Sequence, residues 1–326
     1  MKVAVLGAGA WGTALALVLE RSLHDVVLWG HDAAHLAEMQ RANANERYLP
    51  GIKLPATWKY EPDLAQAIAG AEAVVVAVPS KAFRTVTAAL KDFSGVIVSV
   101  TKGIEHESGL TMCGVLRENA PRGEIAALSG PTLALEVAKG VPSAIVAASH
   151  DMAIAQKVQG MFHTVPFRVY ASADLTGVEM GGALKNVVAI AAGVCDGFGF
   201  GDNSKAALLT RGIGEIRRLG VACGAQPETF AGLSGLGDLT VTCFSKLSRN
   251  RGFGERLGRG EKLADVLASS VSIAEGYPTA KSAYQLARIR NVSTPIIDEV
   301  YAVLYAGKNV AHALRDLIGR ESKAED

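Results

Sequence analysis

The sequence lacks an excess of charge of either sign. Its 326 residues include 33 lysines and arginines against 32 aspartates and glutamates, which gives a formal net charge of +1 at pH 7. Nucleic acids and anionic membranes recruit proteins through surplus positive charge, so this balance argues against nucleic acid as a partner. Any anionic ligand must be bound by cations placed locally.

Cysteines are few and scattered. The four of them, Cys113, Cys195, Cys223 and Cys243, form no C-x-x-C pair and lie near no histidine cluster with the spacing of metal ligands. We therefore expect reduced, structural thiols in a cytoplasmic protein, and no metal site.

Long hydrophobic runs are also missing. The longest apolar stretch, residues 187–195, is much shorter than the roughly 20 residues that a membrane-spanning helix needs. The apolar N-terminus is unlike a signal peptide because glycines interrupt it at positions 7, 9 and 12. We expect a protein without membrane insertion.

What the sequence does contain begins at those glycines. The apolar residues 3–6 run into Gly7, Gly9 and Gly12 in the pattern G-x-G-x-x-G, and a helical stretch follows. In such a unit the first glycine permits a tight turn, the second leaves room for a pyrophosphate, and the third lets helix and strand approach. The pattern predicts a dinucleotide-binding βαβ unit.

The rest of the chain separates into two patterns. Short apolar β-runs alternate with helical segments up to about residue 170, which is typical of a mostly parallel sheet with helices on both faces. Helical periodicity dominates afterwards. We therefore predict an α/β fold, with a Rossmann-like doubly wound domain over 1–172 that binds a dinucleotide and an all-α domain over 173–326 that binds substrate and carries the catalytic residues. The predicted strands are 3–6, 26–29, 73–78, 96–100, 125–128 and 143–147, and 43–55, which contains Pro50, Gly51 and Pro55, is predicted to be a loop.

Ligands of doubly wound sheets bind beyond the carboxyl ends of the strands. His31 and Asp32 follow the second predicted strand. An acidic residue there favours the ribose 2′-hydroxyl of NAD, and a cation favours the 2′-phosphate of NADP. With a histidine first and an aspartate second, the choice of cofactor stays open.

Two further strand ends carry candidate ligand contacts. Lys102 follows the strand over 96–100, where it is either a ligand contact or a solvated lysine. Gly130 and Thr132 follow the strand over 125–128, and Thr132 is predicted to open a helix. Exposed backbone N–H groups there would bind an anion or the nicotinamide amide; the alternative is a plain helix cap.

Lys185 is the strongest catalytic candidate in the helical half. It lies next to Asn186 inside an apolar helix, where an unpaired lysine is costly, and a desolvated lysine can serve as a general base near neutral pH. The alternative is a lysine that extends to the surface.

Two segments further along suggest partners for a phosphorylated ligand. Asp238 is flanked by glycine and apolar residues, so its carboxylate needs a partner such as a lysine or substrate hydroxyls. Ser248, Arg249 and Asn250 combine a serine N-cap, a guanidinium and an amide, which together suit a phosphate monoester; the alternative is a solvated basic turn.

Several long motifs occur in order, and over nearly the whole chain they resemble the bacterial NAD(P)-dependent glycerol-3-phosphate dehydrogenases. These motifs are GAGAWGTALA at 7–16, VPSKAFR at 78–84, TKGIE at 101–105, LSGPT at 128–132, GGALKNVVAIAAG at 181–193, GDNSKAALLTRG at 201–212, GLGDL at 235–239 and LSRNR at 247–251.

The resemblance implies an oxidoreductase that interconverts sn-glycerol 3-phosphate and dihydroxyacetone phosphate and supplies glycerol 3-phosphate for phospholipid synthesis. Lys185 would be the proton acceptor, with Lys102 and Asp238 assisting it. The implied substrate contacts are Lys102, Gly130, Thr132, Lys185, Asp238, Ser248, Arg249 and Asn250. The implied cofactor contacts are Gly7, Gly9, Trp11, Gly12, His31, Lys102, Ala134, Arg249, Ile273 and Glu275.

Some positions depart from the family pattern. Ala10 stands where serine or asparagine is frequent, and His31 stands where arginine is frequent, which weakens a strict NADP preference although the resemblance favours NADP slightly over NAD. Tyr277 and Pro278 replace a Val-Arg pair, without a functional explanation.

The resemblance also suggests a homodimer. A dehydrogenase of another hydroxy acid and a non-catalytic cofactor sensor are the two rival interpretations.

Overall fold

The computed structural model describes residues 1–269 and 274–321. The chain divides into two compact units. The first unit comprises Met1–Glu105 and Leu110–Glu179, and the second comprises His106–Gly109 and Met180–Asp326. The change of periodicity in the sequence lies a few residues earlier, at 172.

The first unit is built on a large sheet. In chain order its strands are β1 (Lys2–Leu6), β2 (Asp25–Trp29), β3 (Ala44–Asn45), β4 (Leu49–Lys53), β5 (Lys59–Glu61), β6 (Ala73–Val76), β7 (Val96–Ser99), β8 (Glu124–Ser129), β9 (Ser143–Ala148) and β10 (Phe167–Ser172). Eight of them form one sheet in the order β10-β9-β8-β7-β6-β1-β2-β5, and β3 and β4 pair separately. Neighbours in the large sheet are parallel, except that β8 and β9 are antiparallel.

Helices cover this sheet. They are α1 (Ala10–Arg21), α2 (Ala33–Ala42), α3 (Leu64–Ile68), α4 (Ser80–Thr87), α5 (Met112–Asn119), α6 (Ala134–Ala138) and α7 (Met152–Phe162), and a 3₁₀ turn at Ala88–Leu90 follows α4. All four residues of β6 and of β7 are buried. Strands with both faces buried are expected to be continuously apolar, as these are. The predicted Rossmann-like, mostly parallel sheet is confirmed.

The prediction of a loop over 43–55 was wrong. This segment contains the antiparallel hairpin β3–β4, whose buried side chains include Leu49 and Ile52. The side chain of Asn45 fixes the hairpin to the glycine loop, because its Nδ2 donates to the carbonyl of Ala8 at 3.0 Å and to Thr13 Oγ1 at 2.8 Å. Pro50 and Gly51 suggested a break, but a short hairpin tolerates both.

Besides the hairpin, strands β5 and β10 were missed, and two strands were predicted too long. Strand β10 alternates buried and exposed residues instead of forming a continuous apolar run, because it lies at the edge of the sheet. Strand β6 ends at Val76 and β7 at Ser99, not at 78 and 100. Pro79 has no N–H to donate, so strand pairing cannot continue through it.

The second unit is helical. Its helices are α8 (Leu175–Gly197), α9 (Asp202–Ala222), α10 (Asp238–Phe244), α11 (Arg249–Gly258), α12 (Leu263–Ala268), α13 (Gly276–Ile289), α14 (Pro295–Tyr305) and α15 (Val310–Ile318). The division between the units falls within α8. A 3₁₀ turn at Pro227–Ala231 and a π-helical turn at Leu233–Gly237 precede α10. Helix α10 was not predicted, because its seven residues are too few to establish a periodicity.

Helix α8 corrects the expectation about long apolar segments. Its 23 residues are long and apolar enough to cross a membrane by length and composition, but 94% of the apolar window is buried inside the protein. Such burial is typical of the core helix of a folded domain, since little apolar surface remains for lipid.

Glycines bring α8 and α11 into backbone contact. A Cβ at Gly193 of α8 would lie 1.9 Å from the carbonyl oxygen of Arg251, and one at Gly254 of α11 would lie 1.9 Å from that of Ile190. Only glycine fits at both points. The contact aligns the segment that carries Lys185 with the helix that begins at Arg249.

Candidate active site

The glycine loop has the geometry that its sequence predicted. Gly7 adopts a φ of +130°, and a Cβ there would lie 2.5 Å from the carbonyl oxygen of Ala77. A Cβ at Gly12 would lie 1.9 Å from the carbonyl oxygen of Gly7, so strand and helix approach closely. A Cβ at Gly9 would meet nothing within 4 Å. The space in front of Gly9 is open to a ligand, while the other two glycines are required by packing.

Trp11 follows the loop in the first turn of α1 and is half-buried. Its indole Nε1 is buried, yet it has no hydrogen-bond partner among the described residues. Buried donors are normally paired, and an orphan frequently marks a ligand. The open space at Gly9 and the unpaired indole N–H fit a bound dinucleotide.

His31 and Asp32, which follow β2, lie in different environments. His31 is exposed. Asp32 is the N-cap of α2 and accepts a hydrogen bond from the backbone N–H of His35 at 3.0 Å. That hydrogen bond, together with the positive charge of Arg47, holds the pKa of Asp32 below its usual range. Asp32 is therefore the ionised group at this strand end.

Lys102, Gly130 and Thr132 come together beyond β7 and β8. Lys102 Nζ donates to the carbonyl of Gly130 at 3.3 Å, and Thr132 Oγ1 donates to the same carbonyl at 3.2 Å. The prediction that Thr132 opens a helix was wrong, because α6 begins at Ala134 and Leu133 is its N-cap. Thr132 instead fixes the turn that follows β8.

The second unit contains a buried ion pair. Lys185 and Asp238 are 5% and 0% exposed, and Lys185 Nζ donates to Asp238 Oδ1. The alternative of a lysine that extends to the surface is therefore excluded. The carboxylate and the buried ammonium neutralise each other. Each is thus the partner that the sequence analysis expected the other to need.

Thr242 belongs to the same cluster and was missed. Lys185 Nζ donates to Thr242 Oγ1 at 2.6 Å, and this hydroxyl donates its own hydrogen to the carbonyl of Asp238, also at 2.6 Å. The hydroxyl therefore presents its lone pairs to the ammonium. Thr242 follows Asp238 by one helical turn in α10, and knowledge of that helix would have identified it.

Two asparagines link the helices around this pair. Asn250 Nδ2 donates to Asn186 Oδ1 at 2.9 Å, and the backbone N–H of Gly276 donates to Asn250 Oδ1 at 2.8 Å. Both asparagines are at least nine-tenths buried. Asn250 was predicted as a substrate contact, but its amide also joins α8 to the start of α13.

The N-terminus of α11 presents further polar groups. Ser248 is the N-cap and accepts from the backbone N–H of Arg251 at 3.2 Å, as predicted. Arg249 lies on this first turn and is exposed as a residue, yet desolvation of its guanidinium lowers its pKa, and the negative charge of Glu275 opposes that shift. The helix end and the guanidinium both favour an anion. Ile273, predicted as a cofactor contact, lies outside the described residues.

A second buried ion network was not predicted. Asp196 of α8 pairs with Lys205 Nζ at 2.5 Å and with Arg251 Nε at 2.6 Å, and Arg251 also pairs with Glu255 at 3.0 Å. Lys205 belongs to the motif at 201–212, which had no assigned role. The network ties α9 and α11 to α8.

The cysteine thiols remain neutral. All four are free, and burial raises the pKa of each, that of Cys243 to about 12. Cys243 follows Thr242 directly, but its thiol stays protonated near pH 7 and is a poor nucleophile.

Comparison with known proteins gives consistent results. The family model of the NAD-dependent glycerol-3-phosphate dehydrogenase N-terminus matches residues 2–155, and that of the C-terminus matches residues 174–315. A glycerol-3-phosphate dehydrogenase (NAD(P)+) of Chlorobium phaeobacteroides is 46% identical over 331 residues, covering 100% of this chain and 99% of that protein. One from a Geobacter species is 47% identical over 330 residues, covering 99% and 98%.

A solved structure agrees with these sequence matches. The crystal structure of glycerol-3-phosphate dehydrogenase from Coxiella burnetii superposes with a TM-score of 0.93 at 37% identity, covering 98% of this chain and 99% of that one.

Proposed function

The chain belongs to the NAD-dependent glycerol-3-phosphate dehydrogenase family, and we propose that Lys185 transfers the proton in the reaction of that family. The reaction interconverts sn-glycerol 3-phosphate and dihydroxyacetone phosphate with NAD(P)(H). The protein is an NAD(P)-dependent oxidoreductase acting on this pair.

The observation that carries the proposal is the buried cluster of Lys185, Asp238 and Thr242. A lysine is costly to bury and is rarely retained without a reason. Asp238 keeps the ammonium paired, and Thr242 fixes the direction of one N–H bond. In the reductive direction Lys185 Nζ donates a proton to the oxygen at C2 as that oxygen becomes an alkoxide, and in the oxidative direction the neutral amine removes it.

Most of the residues that we assign to the cofactor belong to the first unit. When bound, the reduced nicotinamide supplies the hydride that C2 accepts. The residues proposed to hold the dinucleotide are Gly7, Gly9, Trp11, Gly12, His31, Lys102, Ala134, Arg249, Ile273 and Glu275. The open space at Gly9 and the unpaired indole N–H of Trp11 support this assignment.

The substrate phosphate is held by the N-terminal turn of α11. Ser248 and Asn250 place a hydroxyl and an amide there, and Arg249 supplies the positive charge. Lys102, Gly130 and Thr132 are further residues that the family resemblance assigns to the substrate, and the ammonium of Lys102 would stabilise negative charge on the reacting oxygen. Residues 1–172 thus serve mainly the cofactor, and residues 173–326 the substrate and the proton transfer.

Three further properties follow from the resemblance to the bacterial enzymes. We propose a cytoplasmic location, a homodimeric state, and a role in supplying glycerol 3-phosphate for phospholipid synthesis. Light scattering after gel filtration measures the dimer directly. A mass equal to one chain would exclude it.

The site assignment is tested with two buried lysines of the second unit. Lys185→Met should lower kcat by about 10²- to 10⁴-fold, the usual contribution of general acid–base catalysis. Lys205→Met is the matched control, because Lys205 is also buried and paired with an aspartate but belongs to the structural network. Breaking its pair should cost about 3 kcal/mol of folding free energy while kcat per folded molecule stays within about threefold.

Initial rates are measured by the absorbance of the reduced nicotinamide, and the folded fraction by circular dichroism. Equal losses of kcat in the two variants would indicate that Lys185 acts only through the fold. Near-normal turnover in Lys185→Met would remove Lys185 from the reaction.

A further inference from the structure

The turn of the β3–β4 hairpin places a guanidinium beside the N-terminus of α2. Arg47 Nη1 lies 3.4 Å from Asp32 Oδ2, and the guanidinium carbon lies 5.1 Å from the ring centroid of Tyr48. The Tyr48 ring in turn meets the ring of His35 edge-on at 5.2 Å. Arg47 thus lies against Asp32, the third residue after β2.

The hairpin is fixed relative to the glycine loop. Asn45 donates to the carbonyl of Ala8 and to Thr13, and its Oδ1 accepts from the backbone N–H of Tyr48 at 3.3 Å. One buried amide therefore connects the pyrophosphate-binding loop to the turn that carries Arg47. The backbone of the turn that carries Arg47 is therefore fixed by the fold.

Arg47 and Asp32 remain accessible to a ligand. Their side chains are 51% and 42% exposed, and an ion pair so exposed contributes little to stability. A dianionic phosphate can replace the carboxylate at Arg47 at small cost, and a guanidinium binds phosphate in bidentate fashion. His31 is exposed nearby, but an imidazole lacks the planar fork of donors with which a guanidinium binds phosphate.

We propose that Arg47 binds the 2′-phosphate of NADPH, and that its pairing with Asp32 lets the same site accept NADH. The ribose of a dinucleotide lies at the end of the second strand in this fold, where an acidic residue takes the 2′-hydroxyl and a cation takes the 2′-phosphate. Asp32 and Arg47 supply both. The inference rests on the proposed function and names the residue that sets the cofactor ratio.

The test is calorimetric and needs no turnover. Adenosine 2′,5′-bisphosphate and adenosine 5′-monophosphate, which differ only in the 2′-phosphate, are titrated into the wild-type protein and into Arg47→Ala. We expect the variant to bind the bisphosphate about tenfold more weakly and the monophosphate within about twofold of wild type. Lys53→Ala is the matched control, because Lys53 is an exposed cation on the same hairpin. It should change neither affinity.

A merely structural role for Arg47 gives a different pattern. Equal weakening of both nucleotides, or no weakening of either, would overturn the inference, and Arg47→Lys should retain part of the discrimination. In kinetics, Arg47→Ala should raise KM for NADPH about tenfold and leave KM for NADH unchanged. If the wild-type protein binds neither nucleotide, the proposed dinucleotide-dependent function itself fails. If the wild-type protein binds both nucleotides and Arg47→Ala leaves the ratio of their affinities unchanged, only this inference fails.

Discussion

The two units hold their functional groups in different ways. In the first unit these groups are backbone and short or half-exposed side chains at strand ends, as at Gly9 and Thr132. In the second they are charged and amide side chains buried between helices, as at Lys185 and Asn250. A sheet positions ligand contacts by its topology, whereas a helical unit needs each buried polar side chain to find a partner on another helix.

This difference determines how each unit responds to substitution. A half-exposed strand-end side chain such as that of Thr132 can change with little effect on the fold, because it packs against few groups. A buried pair in the helical unit couples the site to stability, since removing one partner leaves the other desolvated. The following predictions test that contrast.

The backbone contact between α8 and α11 should be the most sensitive feature. Gly254→Ala places a Cβ 1.9 Å from the carbonyl oxygen of Ile190, and neither backbone can move without disturbing its helix. We expect a loss of more than about 3 kcal/mol in the free energy of unfolding, measured with urea. KM for the phosphorylated substrate should rise as well, because Ser248 and Arg249 begin the same helix.

Gly252→Ala is the matched control for that substitution. It lies two residues earlier in α11, and a Cβ there meets nothing within 4 Å. It should be neutral or stabilising by up to about 1 kcal/mol. Equal effects of the two substitutions would contradict the close packing of α8 against α11.

Glu215 should make the stability of the helical unit depend on pH. Its buried carboxylate accepts from the backbone N–H of Ile296 at 2.8 Å and of Ile297 at 3.2 Å, at the start of α14. Burial outweighs these hydrogen bonds and raises its pKa from 4.5 to about 7. Because the folded state keeps this proton longer than the unfolded state, the free energy of unfolding falls as pH rises from about 4.5 to about 7.

The variant Glu215→Gln isolates this contribution. It keeps an acceptor for α14 but does not titrate, so relative to wild type it should gain about 2–3 kcal/mol between about pH 4.5 and pH 7. Urea unfolding of both proteins across that range measures the difference. A constant difference would mean that Glu215 is ionised in the folded protein throughout.

The smallest effect is expected at the cap of α11. Ser248→Ala removes the hydroxyl that accepts from the backbone N–H of Arg251 and should cost about 1 kcal/mol. Ser204→Ala, at an exposed position of α9, should stay within about 0.5 kcal/mol. Thermal unfolding compares the two, and an equal cost would show that the cap contributes nothing.

The sequence predicted the first unit better than the pairings of the second. G-x-G-x-x-G and the apolar runs establish strand, turn and helix locally, so the places of Gly7 and Lys102 followed from order along the chain. The hairpin was missed because Pro50 and Gly51 suggested a break, and because Asn45 attaches it to Ala8 and Thr13, which are remote in sequence.

In the second unit the chemistry of single residues was predictable but their pairing was not. Burial of Lys185 followed from its apolar helix, and Asp238 was expected to need a partner. Their separation of 53 residues hid the pairing from any local pattern. The network of Asp196, Lys205 and Arg251 was missed for the same reason, because three helices contribute to it.

The substrate assignment can be tested on the unmodified protein. Initial rates of NADPH and NADH oxidation are measured with dihydroxyacetone phosphate and, in parallel, with unphosphorylated dihydroxyacetone. We expect rapid turnover of the phosphorylated ketone and little of the other, because Arg249 and the α11 N-terminus bind the phosphate. Equal rates with the two ketones, or no turnover of either while the cofactor binds, would contradict this assignment.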